Sequence, residues 1–195
     1  YATTHGYRTG DNPARLAGQL DTILPPAQKL KRNAHHPALP HGQMKRFISQ
    51  LRLITTISAK ALEFTILTAV RSGDIRGAVW SEINLENGTW TIPAARMKAG
   101  KEHIVPLSSA CMSILTGISK GKNSEFVFKG RSGMLSDMTL GKLIKSLHNK
   151  DLEKGNGFFD PVSGRIATTH GFRSTFRDWA AEETSFSREV IEHCL

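Results

Sequence analysis

The chain has 195 residues, 39% of them hydrophobic and 22% charged, which suffices for a buried core and argues against a disordered chain. Lys and Arg total 26 against 17 Asp and Glu, a formal charge of +9 that points to a polyanionic partner rather than a small acidic substrate. No apolar run reaches the roughly 18 residues of a membrane span. No stretch pairs a strong apolar face with a basic one, so the charge is read as serving nucleic acid and not a membrane.

Residues 1–41 read as an extended linker, punctuated by "GDNPA", "LPP" and "HHPALP". His35 and His36 lie inside it; with no further ligand at metal-binding spacing they are read as loop residues. From Gln43 the pattern turns helical, and "MKRFISQLRLI" sets Met44, Phe47, Leu51 and Ile54 on one face of a helix over about 42–55. Ser58 is placed to cap a second helix, "AKALEFTILTAV", apolar on nearly every side and therefore central. Ser72 is placed to cap a short third helix reaching Val79. The period then changes to two: "GTWTIP" and "HIVPL" read as strands joined by the charged "AARMKAGKE". A helix over 108–115, a short strand "EFVF", and a helix opening at Ser136 with Leu140, Leu143, Ile144 and Leu147 inward follow.

"EKGNGFFDPVSG" is loop. Beyond it, "ATTHGFRSTFRDWAAE" predicts a helix capped by Thr169, with Phe172, Phe176 and Trp179 facing the core. His170 and Arg173 stand one turn apart on another side, near amides that favour an anion. The last helix is capped by Ser187 and carries Val190, Ile191, Cys194 and Leu195 on one side. It meets no stop signal, so the chain is expected to be cut inside a helix, the domain running over 42–195. The expected fold class is mainly α with a small antiparallel β-sheet. Cys111 and Cys194 form neither a CxxC pair nor a disulfide framework; both are expected in the core, and a reducing cytoplasm fits them.

Arg71, at the joint of a buried helix and a short one, needs a counter-charge, and Asp74 three residues on is the local candidate. Lys98 sits at the hairpin tip between Arg96 and Lys101. Taken in order, "TAVRSGDIRGAVWSEINL", "WTIPAARMKAGKEHIVPLS" and "HGFRSTFRDWAAE" resemble the first arginine motif, the lysine hairpin and the His-x-x-Arg motif of the tyrosine recombinases, the phage-integrase family. "GYRTGDNPA" and "HHPALP" resemble the linker of prophage integrases of the satellite-phage type.

The resemblance implies a domain that cleaves and rejoins double-stranded DNA through a 3′-phosphotyrosyl intermediate. Arg71 and Arg173 would hold the non-bridging oxygens with planar forks of donors. Lys98 would protonate the leaving 5′ oxygen and His170 would take the tyrosine proton or hold the phosphate. Asp74 would support the site, and Trp80 would pack. Arg96, Lys101, Lys142 and Lys145 are candidate contacts to the DNA backbone. No metal and no cofactor are called for, because the phosphotyrosine stores the bond energy. The family implies protomers assembled as tetramers on DNA, with accessory DNA-bending proteins as further candidate partners.

Tyr1 and Tyr7 are the only tyrosines and precede every motif, so the nucleophile is expected to be absent and this chain inactive alone. A further catalytic His or Trp is expected beyond Leu195, and His193 is placed on the open face of the last helix. Competing readings are a DNA-binding module without chemistry, a type IB topoisomerase and a small-molecule phosphatase.

Overall fold

The computed structural model describes residues 1–10, 12, 14, 15, 18, 20–24, 35–97, 100–118, 124–131 and 133–195. It divides the chain into two compact units, residues 1–35 and 36–195. In the first, a single helical turn spans Asp21–Ile23, and the Tyr1 ring lies 4.4 Å from that of His5.

The second unit is built around one apolar helix. Helices α1 (Met44–Arg52), α2 (Ile57–Thr68) and α3 (Ser72–Arg76) come first. A sheet of β1 (Ile83–Asn84), β2 (Thr89–Ile92) and β3 (His103–Pro106) follows, antiparallel in the order β1-β2-β3. Then come α4 (Ser109–Gly117), a small hairpin of β4 (Lys129–Gly130) and β5 (Gly133–Met134), α5 (Met138–Leu152), α6 (Gly171–Glu183) and α7 (Arg188–His193). The helix-rich class with a small antiparallel sheet is the expected one.

Helix α2 packs against α1, α3, α4, α5 and α6, which explains its lack of a polar face. Phe64 on α2 meets Trp90 of β2 at 5.9 Å and Phe128 at 5.4 Å between ring centroids, so helix and sheet share one core. Phe47 of α1 meets Phe158 at 4.9 Å and Phe172 of α6 at 5.1 Å. Trp80 is partly buried against this core, as packing requires.

The caps fall elsewhere than expected. Thr56, not Ser58, caps α2 by accepting from the Ala59 amide at 3.3 Å. Arg71, with no side-chain bond to the helix, occupies the N-cap of α3, and that helix ends at Arg76 rather than Val79. "EFVF" forms no strand: Phe126 makes a lone bridge with Val79, while Val127 and Phe128 are buried. Trp179, expected in the core, is 44% exposed. It lies along an open apolar groove with Met44, Ile48, Ile66 and Phe172. Cys111 is buried as expected, but Cys194 is exposed.

The second compact unit begins at His36, inside the segment read as linker; there Leu39 is 1% exposed and residues 36–39 cross the start of α6. The Pro37 carbonyl accepts from the Thr168 amide at 3.0 Å and from its hydroxyl at 3.2 Å, and the Leu39 carbonyl accepts from the Thr175 hydroxyl.

The loop leading into α6 is tied down by Asp151 at the end of α5. Its carboxylate accepts from the Gly157 amide at 2.9 Å and from the Gln50 side chain, with Arg46 at 3.4 Å. Burial pushes the Asp151 carboxyl up, but the Gly157 and Gln50 hydrogen bonds and the Arg46 and Lys154 charges outweigh it and hold the group below its usual value. Its contribution to stability is therefore whole above the unfolded-state value of about 3.9 and is lost as pH falls through the lower folded-state value. Asp151→Ala is expected to cost about 1–3 kcal/mol at neutral pH by orphaning the Gly157 amide. Melting profiles of variant and parent should converge in strong acid; a constant gap down to the acid limit would contradict this origin.

Candidate active site

Three chain segments meet where α2 ends. Ala69 takes a left-handed conformation, φ 52°, which reverses the chain beyond Thr68 and costs a residue with a Cβ about 1–2 kcal/mol. The turn buries Val70 and leaves Arg71 half-buried at the start of α3. Arg173, in the first turn of α6, donates from Nη1 to the Ala69 carbonyl at 2.6 Å and from Nη2 to the Leu195 carbonyl. One guanidinium thus joins α6, the strained turn and the end of α7.

The electrostatics show how close these groups lie. Burial, and then the Arg71 charge, push the Arg173 guanidinium below its usual value, against Asp74 and Glu192. Burial pushes the Asp74 carboxyl up, against the pull of Arg96, Arg71 and Arg173. Among the described residues no hydrogen bond or ion pair ties down the Arg71 guanidinium, so the expected close pair with Asp74 does not form. Two guanidiniums beside one carboxylate leave the cluster with an excess of positive charge. An anion placed between them would relieve both.

His170 is exposed at the N-cap of α6, and its carbonyl accepts from the Arg173 amide at 3.1 Å. The expected Thr169 cap is instead Thr168, whose hydroxyl accepts from the Gly171 amide at 3.0 Å. Lys98 lies outside the described residues. Lys101 is exposed near the hairpin tip, and Lys142 and Lys145 are exposed on α5.

Arg96 is placed differently from the sequence expectation. Its guanidinium turns inward, donating to the carbonyls of Asp74 at 3.1 Å and of Gly77, and stands 3.3 Å from Glu82. These carbonyls close the last turn of α3, where a cation is favoured. Arg96 therefore fixes the helix that presents Arg71, and its terminal nitrogens are committed away from a duplex.

Two residues escaped the sequence reading. His103 opens β3 and is half-buried. Burial, and then the Arg173 and Arg71 charges, push it below its usual value, which sets it within the cluster. Strand periodicity carried the signal, because His103 shares a face with buried Val105 while Ile104 between them is 57% exposed. A groove of about 830 Å³ opens beside it, lined by Leu67, Phe176, Val190 and His193. The other is His36, whose ring lies 4.2 Å from that of His170; no local pattern announced that contact. Among the described residues no group of three or more His, Cys, Asp or Glu side chains is placed to hold a metal, and no helix is long and apolar enough to cross a membrane.

The architecture is that of a tyrosine recombinase catalytic domain. A lambda integrase tetramer bound to a Holliday junction superposes with a TM-score of 0.65 at 18% identity, covering 100% of this chain and 53% of that one. XerA recombinase does so at 0.60 and 16%, covering 100% and 61%. Residues 37–194 match the phage integrase family, and the chain belongs to that family. Prophage integrase IntZ of Escherichia coli K12 is 32% identical over 175 residues, 89% of this chain and 40% of the relative. The integrase of Enterobacteria phage P4 is 28% identical over 216 residues, 100% of this chain and 44% of the relative. The chain therefore spans less than half the length of these relatives.

Proposed function

We propose that this chain supplies the phosphate-activating part of a site-specific DNA recombinase that cleaves and rejoins double-stranded DNA through a 3′-phosphotyrosyl link. The observation that carries it is the meeting of Arg71 and Arg173, far apart in sequence, around Asp74 with too little negative charge for both. In this reading the two guanidiniums hold the non-bridging oxygens as charge grows at phosphorus. Asp74 is the carboxylate that both guanidiniums face, Lys98 protonates the leaving 5′ oxygen, and His170 assists the attacking tyrosine. In this reading neither Tyr1 nor Tyr7 is that tyrosine, since both precede every motif in the chain. The decisive experiment incubates the full-length gene product with a duplex nicked beside the scissile phosphate. A trapped phosphotyrosyl adduct lost in Arg71→Ala supports the reading; an adduct that survives it, or relaxation of supercoils without strand exchange, counts against it.

The partners in this proposal are duplex DNA, further protomers and accessory DNA-bending proteins, and the site of action is the cytoplasm. Support for assembly comes from the lambda integrase neighbour, a tetramer on a Holliday junction. Lys101, Lys142 and Lys145 are proposed to touch the DNA backbone; Arg96 is left out because its guanidinium turns inward onto the end of α3 and Glu82. Replacing the three lysines by alanine is expected to lower the slope of log affinity against log salt by about one for each phosphate that they neutralise. Fluorescence anisotropy over a salt series measures it, and an unchanged slope would show that the three lysines do not touch the backbone.

A further inference from the structure

The helix that presents Arg71 and Asp74 is too short to hold itself. We propose that Glu82 is a positioning residue for the candidate site, acting through Arg96: the pair clamps the end of α3 to the sheet and so keeps Arg71 and Asp74 in place during phosphodiester cleavage. The inference rests on the reading of this site as a phosphodiester-cleaving one.

Helix α3 has only five residues, Ser72–Arg76. So short a helix is unstable by itself, and its last carbonyls lack partners inside it. The Ala78 amide, one helical turn beyond Asp74, donates to the Ile75 carbonyl at 3.2 Å instead of to that of Asp74. Arg96 takes the place of the missing turn: Nη2 donates to the Asp74 carbonyl at 3.1 Å, and Nη1 to the carbonyl of Gly77 at the C-cap. Gly77 has no side chain in the way, since an added Cβ would lie 3.2 Å from Arg96 Nη1. Arg76 also anchors α3, through the Leu135 carbonyl at 3.2 Å and Asp137 at 2.9 Å, but neither contact is to Arg71 or Asp74. Arg96 thus grips the backbone of the residue whose carboxylate the two guanidiniums of the site face.

Glu82 sets the orientation of Arg96. It ends the turn Trp80–Glu82 just before β1, and the register of β1 on β2, Ile83 opposite Trp90, brings it to the Trp90 indole. Glu82 Oε2 accepts from Trp90 Nε1 at 3.0 Å and from the Val79 amide at 3.4 Å, while Oε1 stands 3.3 Å from Arg96 Nη1. Trp90 is 0% exposed and the Glu82 side chain 11%, so the carboxylate is held by the core and kept from water. A largely buried guanidinium needs a counter-charge fixed in this way. The indole orients a carboxylate, the carboxylate a guanidinium, and the guanidinium the helix. Glu82 itself need not touch the phosphate; its role runs through Arg96 and α3.

The test measures single-turnover formation of the phosphotyrosyl adduct by the full-length gene product on a nicked duplex, with DNA affinity and melting temperature alongside. Arg96→Met, close in length but uncharged, is expected to slow adduct formation about ten- to hundredfold, the scale of a misplaced reacting group, with affinity unchanged. Glu82→Gln keeps an oxygen for the Trp90 indole and the Val79 amide but loses the charge that faces Arg96. It is expected to slow the reaction over the same range while melting near the parental temperature. The double variant should be no slower than Arg96→Met alone, because the two residues act in series. Arg71→Ala serves as the reference for the site. With Arg71→Ala inactive, a parental rate in Glu82→Gln overturns the clamp and leaves the site intact, as does a double variant slowed by the product of the two single effects. DNA affinity that falls in step with rate in Arg96→Met also overturns it, since Arg96 would then hold the duplex. Parental rate in Arg71→Ala removes the underlying reading.

Discussion

Arg173→Ala in the full-length gene product is expected to reduce phosphotyrosyl adduct formation by about a thousandfold, the upper range for losing one preorganised donor to a developing oxyanion. The structure gives reasons for a large effect. Arg173 stands beside Arg71 under burial that disfavours its own charge, an arrangement in which an anion stabilises the guanidinium most. It also holds the carbonyls of Ala69 and Leu195, so its removal frees the strained turn that presents Arg71. Arg173→Lys is expected to recover little. One ammonium cannot serve two carbonyls and a phosphate with the fixed planar fork that a guanidinium provides. Single-turnover cleavage with separately measured DNA affinity checks this: the rate should collapse while affinity changes only a few fold, about what one phosphate interaction contributes. A rate within about tenfold of the parent would show that Arg173 is structural and that the transition state is held elsewhere.

Gly171→Ala carries the largest expected effect on stability. The added Cβ would overlap the Pro37 carbonyl oxygen and lie 2.7 Å from the Pro37 carbonyl carbon, and these are backbone atoms with no rotamer to yield. Either the strap of residues 36–39 lifts or α6 shifts. Lifting the strap costs the Pro37–Thr168 and Leu39–Thr175 hydrogen bonds and begins to uncover Leu39. The expected destabilisation is about 3 kcal/mol, the upper end of overpacking in a core. For a domain of this size that lowers the melting temperature by roughly 6–12 °C. Calorimetry on parent and variant decides it, and a fall of less than about 2 °C would mean that the strap moves aside freely.

Much of the fold and part of the candidate site could be read along the chain. Apolar residues at nearly every position of α2 required a helix enclosed on all sides, and five other helices enclose it. Alternation in "GTWTIP" and "HIVPL" required two short strands, which pair antiparallel with Trp90 opposite Val105. The order of the three motifs, through their resemblance to those of the tyrosine recombinases, singled out Arg71, Asp74, Lys98, His170 and Arg173, each of which alone reads equally well as an ion pair or a solvated polar residue.

Tertiary structure decided what covers each face and which partner each polar group takes. Periodicity states that Trp179 shares a stripe with Phe172, but the packing of distant elements leaves Trp179 at an open groove. A basic side chain on a hairpin reads the same whether it meets DNA or carbonyls; the closing of α3 beneath the hairpin turned Arg96 inward. The segment "HHPALP" carries turn signals and no period, so nothing local says that Pro37 and Leu39 will bond to a helix more than a hundred residues away. Local sequence fixes torsions and the direction of a side chain on its own element. Contacts such as His36 with His170 exist only once burial of the common core has brought distant elements together.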